Sequence, residues 1–200
     1  MSIISYAQNY EDVMLYRALK NIEQGFYIDV GANDPEIDSV TKAFYDIGWS
    51  GINIEPVTEW YKKLQLERTR DINLQVAVGN RKGNVSFFEI PQTGLSTTDK
   101  KTAYRHKEEN GFKVIHKKVS AQTLMEICTD YHAAPIHFLK IDVEGGEKSV
   151  LEGIDFKKIR PWIVVVESTI PLTQIEDYQE WEPLLLENDY QFVYFDGLNR

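Results

Sequence analysis

The sequence predicts a doubly wound α/β sheet with a Rossmann-like arrangement. Three observations point to it. Short apolar runs and amphipathic stretches alternate at least five times along the 200 residues. Ile163-Val164-Val165-Val166 is apolar at consecutive positions, as in parallel strands buried on both faces. The first apolar run, Phe26-Tyr27-Ile28-Asp29-Val30, breaks at Gly31, and sheets of this kind take ligands at such strand ends.

In chain order, residues 6–20 read as a helix, with Glu11 and Asp12 early and Arg17 and Lys20 late, matching the helix dipole. Residues 26–30 form the first strand. A helix over 38–47 ends at Gly48, and a strand over 51–55 stops at Pro56. Thr58 is the expected cap of a helix over 58–68. A third strand covers 72–78, and an edge strand 84–90 follows. Residues 91–110 are polar and read as a long functional or mobile loop. Then come a strand over 112–119, a helix over 121–131 and a strand over 137–142. A short helix over 147–151 ends at Gly153, and the buried strand spans 162–167. A helix over 175–187 and a strand over 191–195 finish the chain. The expected organisation is a single domain over 1–200 with a β insertion after the third strand. A sheet of this kind ordinarily closes with a hairpin, so the expectation includes a missing final strand after Arg200. Trp49, Trp60 and Trp162 read as core.

Composition narrows the function. There are 22 Lys+Arg against 31 Asp+Glu, and the net charge of −9 disfavours a phosphate backbone as partner. The single cysteine, Cys128, rules out an internal disulfide and a Cys-based metal site, and reads as a small buried hydrophobe. No window reaches 18 uncharged apolar residues and no signal-peptide pattern opens the chain, so no membrane span is expected and the cytoplasm is the expected compartment.

The strand ends carry the chemistry. Asp29-Val30-Gly31-Ala32-Asn33-Asp34 is a turn that lets a ligand approach backbone amides. Glu55 ends the second strand 24 residues after Gly31, a spacing suited to ribose hydroxyls. A dinucleotide fingerprint would need further glycines, whereas this turn has Asp29, Asp34, Pro35 and Glu36 nearby. Carboxylates repel a pyrophosphate and attract the sulfonium and ammonium of S-adenosylmethionine.

Tyr6-Ala7-Gln8-Asn9-Tyr10-Glu11-Asp12, the turn just quoted, Asn53-Ile54-Glu55-Pro56, Ala77-Val78-Gly79-Asn80 and Leu139-Lys140-Ile141-Asp142-Val143-Glu144-Gly145-Gly146-Glu147 together resemble the FkbM-type S-adenosylmethionine-dependent methyltransferases. Nearly the whole chain takes part, and residues 139–147 are the most specific segment; Pro35 departs from the glycine of many relatives. The resemblance implies a class I methyltransferase sandwich and O-methylation of a sugar, glycan or glycosylated natural product. It also implies association with, or fusion to, a glycosyltransferase. By the same resemblance Asp29, Gly31, Ala32 and Asn33 surround the methionine part of the cofactor, with Asp142 at the mouth. Glu55 takes the ribose with Pro56 beside it, Ala77 and Val78 border the adenine, and Tyr6 and Gln8 on the N-terminal helix cover the site.

The chemistry needs an aligned hydroxyl and a proton acceptor. Asp142, Glu144 and Glu167 are the candidate catalytic groups because they follow the fourth and fifth strands. Their alternative role is to hold Mg²⁺, as in catechol-type O-methyltransferases; the reading without a metal is preferred. Glu147 reads as a helix cap. His106, His116, His132 and His137 read as surface or packing residues, and Lys100, Lys101, Arg105 and Lys107 as a solvated group whose functional alternative is an anionic acceptor. The competing functions are a nicotinamide-dependent oxidoreductase and a non-catalytic binding domain on a cofactor fold. A nitrogen methyltransferase is weaker, because residues 142–145 lack the Asn/Asp-Pro-Pro-aromatic turn.

Overall fold

The structure is a computed structural model that describes residues 3–200. Five parallel strands form the central sheet: β1 (Phe26–Val30), β2 (Ser50–Ile54), β3 (Ile72–Leu74), β7 (Phe138–Ile141) and β8 (Ile163–Val166), in the spatial order β3-β2-β1-β7-β8. Three further strands, β4 (Ala77–Val78), β5 (Gly83–Glu89) and β6 (Ile115–Gln122), form a second sheet in the order β4-β6-β5. This is the Rossmann-like α/β class expected, with the β insertion after the third strand.

Alternation along each central strand sends side chains to two separate cores. Ile28 and Val30 of β1, and Leu139 and Ile141 of β7, join Leu124, Ile127 and Val150 on one face. The helices there are α5 (Leu124–Asp130) and α6 (Glu147–Leu151). Tyr27 and Phe138 join Leu15, Phe44 and Trp49 on the other, against α1 (Glu11–Ala18) and α2 (Lys42–Asp46). Asp29 and Lys140 share that second face. The chain leaves β1 toward β2 and returns on its other flank as β7, so strand order reverses at β1 and a crevice opens at the carboxyl ends there.

Several elements differ from expectation, each for a visible reason. Helix α1 starts at Glu11 because the Asp12 carboxylate accepts from Ser5 Oγ and the Tyr6 and Ala7 amides, folding the preceding residues into a turn. Tyr6 and Gln8 therefore precede that helix. Helix α2 covers only Lys42–Asp46, with Gly48 just beyond it at φ +101°. Helix α3 (Thr58–Glu67) is capped from Val57, whose amide donates to Glu55, so Thr58 is its first turn and not its cap.

Residues 72–78 are not one strand: Ile72–Leu74 pairs with β2, and Ala77–Val78 crosses to pair with β6. The polar stretch 91–110 contains helix α4 (Lys100–Asn110), started by the Asp99 side chain accepting from the Thr102 amide and ended by Gly111 at φ +70°. Helix α7 (Glu182–Leu186) carries Pro183 in its first turn, and residues 191–195 form no strand. In their place Arg200 exchanges two 2.9 Å backbone hydrogen bonds with Val166, antiparallel to β8. Trp49 is core as expected, whereas Trp162 is 54 % exposed against His137 and Trp60 borders a cavity. Cys128 is buried, and no helix among the described residues is long and apolar enough to cross a membrane.

Candidate active site

A cavity of about 670 Å³ opens at the carboxyl ends of β1, β2, β7 and β8. That volume suits a ligand of cofactor size. Gly31 closes its floor at φ +78°, and a Cβ there would lie 1.8 Å from the Asp142 carbonyl oxygen. Only glycine lets the first turn approach the end of β7 this closely. The Gly31 and Ala32 amides donate to Ile54, fixing the turn against β2.

Glu55 stands at the end of β2 with its two carboxylate oxygens taking the Asn33 amide at 2.9 Å and the Val57 amide at 2.6 Å. Burial pushes its pKa up to about 7; these amides and Lys140 pull the other way, and Asp29 adds to the rise. Asp142, Glu144 and Glu167, which follow β7 and β8, also line the cavity, with one oxygen of each within 4.8 Å of the others. Burial, then repulsion from Asp142, holds Glu144 and Glu167 well above the usual carboxylate range. Glu144 sits at φ +60°, and Thr97 Oγ1 donates to its carbonyl.

Lys140 ties the Gly31 turn to Asp142. Its ammonium lies 3.4 Å from both Asp29 and Asp142 and donates to the Gly31 carbonyl at 3.0 Å. Burial works against the Lys140 charge, but Asp142 and Asp29 outweigh it and raise its pKa. A lysine inside an otherwise apolar buried strand is a signal in its own right, and sequence reasoning passed over it as a site residue.

Of the residues expected at the site, Gln8, Gly31, Ala32, Asn33, Glu55, Pro56, Ala77, Val78, Asp142, Glu144 and Glu167 line this cavity. Asp29 lies beneath it, accepting from Thr41 and pairing with Lys140. Tyr6 is turned toward Lys42, 4.9 Å from its ring centre. Glu147 accepts from the Val143 and Gly145 amides and so shapes the turn that carries Glu144. No histidine lines the cavity among the described residues; His137 accepts from the Phe26 amide and His116 stacks on Phe88. Trp60, the turn around Leu95 and residues 172–174 also line it, and no spacing rule would have marked them.

The donor set fits S-adenosylmethionine. A close backbone turn, an acid at the end of β2 and an acidic far wall suit a ligand with hydroxyls and net positive charge. The buried Asn33 Oδ1 has no partner of its own, leaving an acceptor for an ammonium or hydroxyl. A family model described as the methyltransferase FkbM domain matches residues 29–192. No curated protein and no solved structure matches the chain.

Proposed function

The chain belongs to the FkbM methyltransferase family, and from that premise we propose that it moves a methyl group from S-adenosylmethionine to a hydroxyl of a sugar, glycan or glycosylated natural product. What carries the reading is one cavity lined by Glu55 after β2, the Gly31 turn after β1 and the clustered Asp142, Glu144 and Glu167 carboxylates after β7 and β8. S-adenosylmethionine supplies an electrophilic methyl when bound.

The chain's own residues supply position and proton transfer. Gly31, Ala32 and Asn33 hold the amino-acid end, Glu55 accepts from the ribose hydroxyls beside Pro56, and Ala77 and Val78 border the base. Lys140 fixes Gly31 relative to Asp142, so the holding and reacting ends keep one spacing. Alignment of this kind is worth several kcal/mol, up to about 7–11 in the best cases. The acceptor hydroxyl would give its proton to one of the three carboxylates, while the bound cofactor would supply the methyl through cleavage of its sulfur–methyl bond and would leave as S-adenosylhomocysteine. Burial and the neighbouring carboxylates raise the pKa of Glu144 and Glu167 and so increase their basicity toward that proton.

Residues 93–98 and 172–174 form the acceptor side of the cavity and set specificity. The expected setting is the cytoplasm, beside the glycosyltransferase that makes the acceptor. Calorimetry with S-adenosylmethionine and S-adenosylhomocysteine tests the cofactor; a folded protein that binds neither would end this reading. A methyl-transfer screen over nucleotide sugars and oligosaccharides, read by mass spectrometry, identifies the acceptor.

A further inference from the structure

We propose that Asp142, Glu144 and Glu167 bind a hard divalent cation of the Mg²⁺, Mn²⁺ and Ca²⁺ class. One oxygen of each lies within 4.8 Å of the others, and all three residues face the cavity. Hard divalent cations hold oxygens at about 2.0–2.6 Å, so two ligands of one ion stand up to about 4–5 Å apart. The trio already has that spacing.

An independent observation points to an absent ligand. Glu144 is only 8 % exposed, yet its Oε2 has no hydrogen-bond partner. Buried carboxylate oxygens are otherwise satisfied by a donor or a cation. No protein group is placed to do this. Lys140 spends its ammonium on Asp29, Asp142 and the Gly31 carbonyl. Arg105 donates to the Pro171 carbonyl, and among the described residues neither Glu144 nor Glu167 has a cationic side chain within ion-pair distance. The remaining candidates are a shared proton and a metal ion. The oxygen-only donor set selects Mg²⁺, Mn²⁺ or Ca²⁺ over softer metals, and three protein ligands leave room for water and a substrate oxygen.

The inference deepens the methyltransferase reading and rests on it for that last ligand, the acceptor hydroxyl. The test titrates the whole chain with MnCl₂, following free Mn²⁺ by electron paramagnetic resonance, and competes it with MgCl₂ and CaCl₂. S-adenosylhomocysteine binding is measured in parallel by calorimetry. The expected result is one Mn²⁺ per chain, weakened roughly tenfold or more in Glu144→Gln and in Glu167→Gln and unchanged in the surface variant Glu180→Gln. An undiminished free Mn²⁺ signal over the wild-type folded chain would overturn the proposal and leave a shared proton as the occupant. So would binding that both cavity variants retain, which marks an adventitious ion only. S-adenosylhomocysteine binding without Mn²⁺ binding defeats the cation and spares the methyltransferase. Mn²⁺ binding without S-adenosylhomocysteine binding supports the cation and defeats the methyltransferase.

Discussion

Lys140 faces Asp29 across the β1–β7 pairing, with its ammonium 3.4 Å from the Asp29 carboxylate and equally far from Asp142. The charge is buried, and it joins the Gly31 floor of the cavity to Asp142. Lys140→Met would leave two carboxylates without their cation and the Gly31 carbonyl without its donor. Breaking a buried pair from one side costs about 3–5 kcal/mol. Denaturant unfolding should show that loss, and Asp29→Asn added to Lys140→Met should restore part of it. Additive losses in the double variant would show that the two charges are not coupled.

Glu55 makes binding and stability depend on pH in opposite directions. Its pKa rises from the ordinary 4.5 to about 7 in the folded chain, chiefly through burial. The unfolded chain therefore loses this proton first as pH rises. Glu55 contributes stability below about pH 4.5 that is lost as pH rises toward 7. In the proposed role of Glu55, ribose hydroxyls would donate to the ionised form, so S-adenosylhomocysteine should bind more tightly as pH rises through about 7 and should release a proton on binding. Calorimetry in buffers of different ionisation enthalpy measures that proton. Glu55→Gln should abolish the release and weaken binding by about 1.5–3 kcal/mol; a variant that still releases the proton assigns it elsewhere.

Gly31 and Gly48 both have positive φ, at +78° and +101°, but only Gly31 has a neighbour in the way. Gly48→Ala should cost about 1–2 kcal/mol of backbone strain. Gly31→Ala adds overlap with the Asp142 carbonyl and should cost about 1–3 kcal/mol more. Thermal melts compare the two, and calorimetry should show loss of S-adenosylhomocysteine binding in Gly31→Ala alone. Equal behaviour of the pair would mean that the approach of Gly31 to Asp142 has no role.

Glu167→Gln should stabilise the metal-free protein while damaging turnover. Burial raises the Glu167 pKa first, and Asp142, Glu144 and Glu147 repel its charge. Removing that charge raises the melting temperature at pH 8. The gain vanishes in acid, where Glu167 is protonated in either case. Methyl transfer should fall by roughly 10²–10⁴-fold. A variant that is both active and more stable would remove Glu167 from the chemistry.

Most strands were legible because a buried strand must be apolar over a short span. β1, β2, β7 and β8 stand within a residue or two of their expected ends, and helix α6 matches residue for residue. Helix α4 was hidden by its own composition. Its residues 100–110 bury only Thr102, Ala103 and His106, so no apolar period announces it, and its start depends on the Asp99 side chain. The break inside 72–78 was hidden because both halves suit a strand. Which sheet each half joins depends on partners 20 or more residues away, at Ile52 and Ala121.

The sequence by itself determined the alternation of elements, the glycine turn at Gly31 and the acids at the strand ends. These are local consequences of backbone conformation, apolar period and spacing. Tertiary structure decided which acids meet. Asp142, Glu144 and Glu167 converge because β7 and β8 are adjacent and parallel, whereas Asp29 turns beneath the cavity to hold Lys140. The physical reason is that neighbouring strands bring carboxylates from separate parts of the chain within a few ångströms. Their charges then depend on burial and on one another, and no single stretch of sequence encodes that.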